Sequence, residues 1–66
     1  GTGVRVLAWI ERQARAQGQR NLWVAASAFN TGALRFYERH GFVNVATLDG
    51  LVQDDRDEVL LRKRLL

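Results

Sequence analysis

Two stretches of this 66-residue chain carry residue types whose spacing could do chemistry. The first is Gly1-Thr2-Gly3, which runs straight into a helical pattern at Val4. Glycines let a backbone approach a ligand closely, and the free amides of a first helical turn point at it. The helix dipole adds positive potential, so a phosphate is the ligand such an end would take. The second stretch is Asn30 to Phe42. Asn30 can cap the helix that follows it, and Ala33 and Tyr37 share a face at i and i+4. Gly32 and Ala33 are small enough to let a thin ligand pass, and Tyr37 presents a hydroxyl beside that path. Read as residues alone, the two stretches are better explained as an ordinary glycine turn and a capped amphipathic helix with a half-buried tyrosine than as ligand sites. Glu38 would point away from Tyr37, and His40, the single histidine, falls at a helix end where a surface or capping role is expected.

The elements that must position these residues follow from periodicity and punctuation. Val6, Leu7, Ile10 and Ala14 recur at helical spacing over residues 4 to 17, with Arg5, Glu11, Arg12 and Arg15 on the polar side. Gly18 is a natural left-handed terminator. Leu22 to Ala26 reads as a buried strand, and a second helix runs from Thr31 to His40 and stops at Gly41. Phe42 to Leu48 alternates as a strand, Asp49-Gly50 opens a turn, and Gln53 to Asp57 forms a solvated loop. Glu58 to Leu65 is a final strand, with Val59, Leu61 and Leu65 alternating against Leu60, Arg62 and Arg64. Phe36, Phe42, Trp9 and Trp23 are expected to help cover or fill the core. The fold class is therefore α/β, in the order helix, strand, helix, strand, strand.

Composition narrows the function. A hydrophobic fraction of 47% against 26% charged residues predicts one small globular domain over residues 1–66. The absence of cysteine excludes disulfides and thiolate zinc, and one histidine excludes an all-histidine metal cluster, so no metal is expected. No apolar run is long enough to span a bilayer, and a cytoplasmic location is expected. Ten basic residues, nine of them arginine, stand against seven acidic ones. The arginines form no block along the chain, which favours a small anionic ligand over a nucleic-acid stripe. No helix-turn-helix spacing or aromatic strand pattern supports nucleic-acid binding. The chain opens at Gly1 without methionine, and no strand precedes the first glycine turn. Both features predict a fragment or a processed product.

The run Asn30, Ala33, Phe36, Tyr37, Gly41, Phe42, in the form N-x-x-A-x-x-F-Y-x-x-x-G-F, resembles the late motif of the GNAT N-acetyltransferase superfamily. Gly1-Thr2-Gly3 with Val4-Arg5-Val6-Leu7 resembles the end of that superfamily's Q/R-x-x-G-x-G/A pyrophosphate loop and the helix after it, and Asp57 to Leu65 is similar to its last strand. The resemblance covers essentially the whole chain and implies the C-terminal, acetyl-CoA-binding part of such a fold. It further implies a mixed sheet of about three strands with the last strand between the other two and antiparallel to them. Gly1, Thr2, Gly3, Val4 and Arg5 would then hold the coenzyme's pyrophosphate, Gly1 and Gly3 by backbone amides and Arg5 by charge. Asn30 would meet the pantetheine arm or a water beside it, and Ala33 and Phe36 would line the coenzyme's path. Tyr37 would be the general acid for the departing thiolate, since a phenol near pKa 10 can share its proton with a thiol near 8.5. Arg35 or Arg39 could reach the nucleotide end.

The implied activity is acetyl transfer from acetyl-CoA to a primary amine. The superfamily's N-terminal half has no counterpart here, and no residue supplies the base for the amine. The alternative expectation is a non-catalytic coenzyme A-binding or dimerising fragment. In it the unpaired edge of the Leu22–Ala26 strand would join a second copy or the missing N-terminal half.

Overall fold

A computed structural model describes residues 1–53 and 56–65. Its elements are α1 (Thr2–Ala16), β1 (Asn21–Ser27), α2 (Thr31–Arg39), β2 (Val43–Gln53) and β3 (Arg56–Arg64). The sheet order is β1-β3-β2, and both pairings are antiparallel. The α/β class and the central place of the last strand stand as expected. The sheet is antiparallel rather than mixed, because β1 and β2 run the same way but never touch: β3 lies between them.

Local chemistry sets the helix ends. Asn30 caps α2 with its side-chain Oδ1, which accepts from the Ala33 amide at 3.0 Å. Substituting Asn30→Ala leaves that amide unpaired and is expected to destabilise the chain by about 1 kcal/mol, read as a lower urea midpoint with an unchanged slope. Gly18 and Gly41 follow the two helices with φ of 76° and 92°, values other residues adopt only with strain. Space matters at Gly41 as well: a methyl group there would stand 3.3 Å from Lys63 Cε.

The core gathers Leu7, Phe42, Val59 and Leu61, with Leu22, Val24, Ala26, Leu34, Phe36 and Tyr37 packed around it. Both helices and the inward residues of β1 and β3 feed this one cluster, so both helices cover the same face of the sheet. The cross-strand partners Val24↔Leu61 and Ala26↔Val59 point into it. Trp23 pairs with Arg62, and Val43 does too, on the opposite and uncovered face.

That layering corrects three expectations. Trp9 and Trp23 are 55% and 49% exposed, because Trp9 lies beyond the edge of the buried stripe and Trp23 faces away from the helices. Val6 and Ile10 are likewise exposed, and α1 buries Leu7, Glu11 and Ala14 instead. Glu11, placed on the polar side by periodicity, is only 7% exposed. Lys63 of β3 reaches it at 3.0 Å and Arg15 at 3.5 Å, so the buried carboxylate is neutralised by a strand 52 residues away in sequence.

The expected turn at Asp49-Gly50 is instead strand. Leu48 pairs with Glu58 and Gln53 with Arg56, so four residues of β2 stand opposite one of β3. Gly50, at φ 65°, absorbs the bulge without ending the strand. Gln53, Arg56 and Asp57, expected in a loop, belong to the paired strands, whereas Asp54 and Asp55 lie outside the described residues.

The bulge brings two carboxyl groups together. Asp57 is held above its usual range, first by a hydrogen bond shared with the Asp49 carboxyl, then by loss of hydration and by the Asp49 charge. A raised folded-state pKa means the folded chain binds the proton more tightly than the unfolded chain. This stabilisation is fully present below 3.8 and is lost as pH rises through the raised value. The difference in urea midpoint between roughly pH 4 and pH 7 should therefore shrink in Asp49→Asn, which removes the neighbouring charge. An unchanged difference would remove Asp49 as the cause.

Candidate active site

The start of α1 leaves its first amides without a side-chain cap. Gly1 is the N-cap and offers no side-chain cap, and the first backbone hydrogen bond of the helix runs from the Arg5 amide to the Gly1 carbonyl at 3.2 Å. The amides of Thr2, Gly3 and Val4 precede it and have no acceptor within the helix. The first turn holds no acidic side chain, so nothing on this helix offsets its positive end. Arg5 is exposed and meets no carboxylate among the described residues. A methyl group at Gly3 would meet the Phe36 ring at 3.6 Å, ordinary contact, so the glycine is not forced by crowding. What the position contributes is a first-turn amide without an intrahelical acceptor on a residue beside the Phe36 ring.

Between α1, β1 and α2 lies a groove of about 440 Å³. Its walls are apolar, from Val6 and Ile10 of α1 to Leu22 and Val24 of β1, and Gly3, Phe36 and Tyr37 line it together. Tyr37 is half-buried and fixed by two edge-on contacts, with Phe36 at 5.6 Å and Phe42 at 5.2 Å between ring centroids. Its hydroxyl takes part in none of the side-chain hydrogen bonds among the described residues. The arrangement therefore places a proton donor in an apolar cleft near a helix N-terminus. His40 caps the end of α2, donates from Nδ1 to the Phe36 carbonyl at 2.9 Å and stacks on the Phe36 ring at 4.5 Å. It props Phe36, a groove residue, and does not itself line the groove.

The expected site residues are thus only partly brought together. Gly3, Phe36 and Tyr37 share the groove, and Gly1, Thr2 and Arg5 stand at the helix end beside Gly3. Val4 lines a separate hollow with Arg12, Arg15 and His40 and is not part of the groove lining. Asn30 and Ala33 lie at the start of α2 outside the groove lining. The Asn30 Oδ1 is occupied by the helix cap, which leaves its amide group as donor. Residue patterns missed the groove walls, because the apolar stripe of α1 and the run of β1 read as ordinary core. The signal available was an excess of apolar width on α1, from Val6 through Ile10, beyond what one buried stripe requires.

Residues 1–42 match the model of the acetyltransferase (GNAT) family. The chain belongs to that family. No curated protein matches the chain. Among solved structures, the GNAT chain is similar to a protein of Desulfovibrio desulfuricans assigned as an acetyltransferase of the GNAT family, at 29% identity and a TM-score of 0.88. It is also similar to a protein assigned as a phosphinothricin N-acetyltransferase, at 28% identity and a TM-score of 0.86. Both likenesses cover 100% of this chain, and they cover 43% and 42% of those chains. This GNAT segment thus spans less than half the length of the two structures it resembles. Among the described residues no group of three His, Cys, Asp or Glu side chains could hold a metal ion, and no helix is long and apolar enough to cross a membrane.

Proposed function

We propose that this segment binds acetyl-CoA and supplies the leaving-group acid for N-acetyl transfer to a primary amine. The observation that carries the reading is that Gly3, in the uncapped first turn of α1, and a Tyr37 held by Phe36 and Phe42 line one apolar groove. The residues fit the group: Thr2, Gly3 and Val4 offer amides to a pyrophosphate, Arg5 adds charge, and apolar walls suit a pantetheine arm. The Asn30 amide group and Ala33 flank the entrance to α2 as further contacts. Acetyl-CoA supplies an acetyl group already activated as a thioester. The amine nitrogen forms the new bond to the acetyl carbon, the carbon–sulfur bond breaks, and the Tyr37 hydroxyl gives its proton to the departing sulfur. The proton lost by the amine goes to a base outside these residues.

The test is an amide-resolved NMR titration of the chain with acetyl-CoA. Saturable shifts at Thr2, Gly3, Val4 and Tyr37 are expected. A dispersed spectrum without them would overturn the cofactor reading.

A second reading is favoured by one observation: β1 is an outer strand beside an open apolar groove. Such an edge pairs readily with another strand, so the segment would associate with a second copy and not turn over. Sedimentation as a monomer at high concentration would count against it.

A further inference from the structure

A second polar hollow lies where β1 begins and β3 ends. It holds about 480 Å³ and is lined by Arg20, Asn21, Arg62 and Arg64. These arginines are scattered along the sequence, and the sheet assembles them. The register pairs Asn21 with Arg64 and Trp23 with Arg62, which places Asn21, Arg62 and Arg64 on the face of the sheet turned away from the helices, with Arg20 just before the start of β1. The Leu65 amide donates to the Arg20 carbonyl at 2.7 Å and ties the third arginine to the end of β3. The Arg62 guanidinium lies 5.8 Å from the centre of the Trp23 ring, a cation–π contact that restricts its directions.

None of the three guanidinium groups meets a carboxylate among the described residues, where both ion pairs go to Glu11. Converging like charges repel, and they gain when a multiply charged anion sits between them. Each guanidinium presents a fork of N–H donors that matches two oxygens of one phosphoryl group, and the Asn21 amide adds donors of its own. The volume suits a small molecule.

We propose that this hollow binds the phosphoryl groups of a small anion carrying at least two of them. The site is separate from the one assigned to acetyl-CoA. α1 rises ~1.5 Å per residue from Gly1, so Arg20, beyond its far end, stands roughly 20 Å from the helix N-terminus. The inference does not depend on the acetyl-transfer reading.

Sodium pyrophosphate titrated into the labelled chain, against sodium chloride at matched ionic strength, tests it. Saturable shifts are expected at Arg20, Asn21, Arg62 and Arg64. Shifts at Thr2, Gly3 and Val4 would report the other anion end and are counted separately. Arg64→Gln and Arg20→Gln are exposed changes that leave the Arg62–Trp23 contact in place, and each should weaken pyrophosphate on the order of tenfold at the hollow while sparing the helix end. Shifts no larger than those with chloride, or equal affinity in both variants, would overturn the proposal. Orthophosphate binding as tightly as pyrophosphate would overturn the requirement for two phosphoryl groups. A short single-stranded oligonucleotide outcompeting pyrophosphate at equal phosphate concentration would overturn the small-molecule assignment.

Discussion

Tyr37→Phe is expected to lower the rate of acetyl transfer by about 10²- to 10⁴-fold in the protein that carries this segment, with little change in acetyl-CoA affinity. The exchange removes one oxygen and keeps the ring, and the ring makes the contacts with Phe36 and Phe42. Packing and binding should therefore survive, while the departing sulfur loses its proton source. Steady-state kinetics with acetyl-CoA varied, alongside direct binding, separates the two effects. Equal turnover in mutant and parent would remove Tyr37 from the chemistry. Equal loss of binding and rate would instead make the hydroxyl a contact for the bound coenzyme.

Leu61→Ala is expected to destabilise the fold by about 2–5 kcal/mol. Leu61 is 0% exposed, lies on the central strand and faces Val24 of β1. Both helices close over the same cluster, so the site has little room to collapse onto the vacated volume. A domain of this length holds roughly 3–10 kcal/mol in total, so the substitution removes much of it. Val43→Ala is the control: Val43 is 54% exposed on the open face, and its loss should fall within about 0.5 kcal/mol. Urea unfolding followed by circular dichroism reads both. A Leu61→Ala midpoint equal to the parent's would mean that the core is not organised around β3.

The candidate site was legible in the sequence to the extent that its parts are local. Asn30, Gly18 and Gly41 act within a few residues of themselves, and each does in the fold what its type predicts. Tyr37 with Phe36 and Phe42 is likewise a short-range constellation on one helix and the turn after it. The walls of the groove were not legible, because Val6, Ile10, Leu22 and Val24 are the residues an ordinary core would also use. Only the layering shows that they border an open cleft.

Asp49-Gly50 carries the composition of a turn, yet the ladder to β3 continues past it and the glycine is taken up as a bulge. Pairing with a neighbouring strand outweighs a local turn preference of this size. Glu11 is the same lesson in charge. Helical spacing puts it on the polar side, and the carboxylate is buried because Lys63 arrives from the far end of the chain.

By itself, then, the sequence determined the element order, the helix boundaries, the family motif and the tyrosine that could act as an acid, since these depend on spacings within one or two turns. The tertiary structure alone decided which tryptophans face solvent, that Glu11 is buried, that Gly3 and Tyr37 meet on one groove, and that Arg20, Arg62 and Arg64 converge. Each of those depends on packing between separate elements, and the burial of Glu11 and the meeting of the arginines depend on β3 lying beside β1, contacts between residues far apart in the chain that no local pattern encodes.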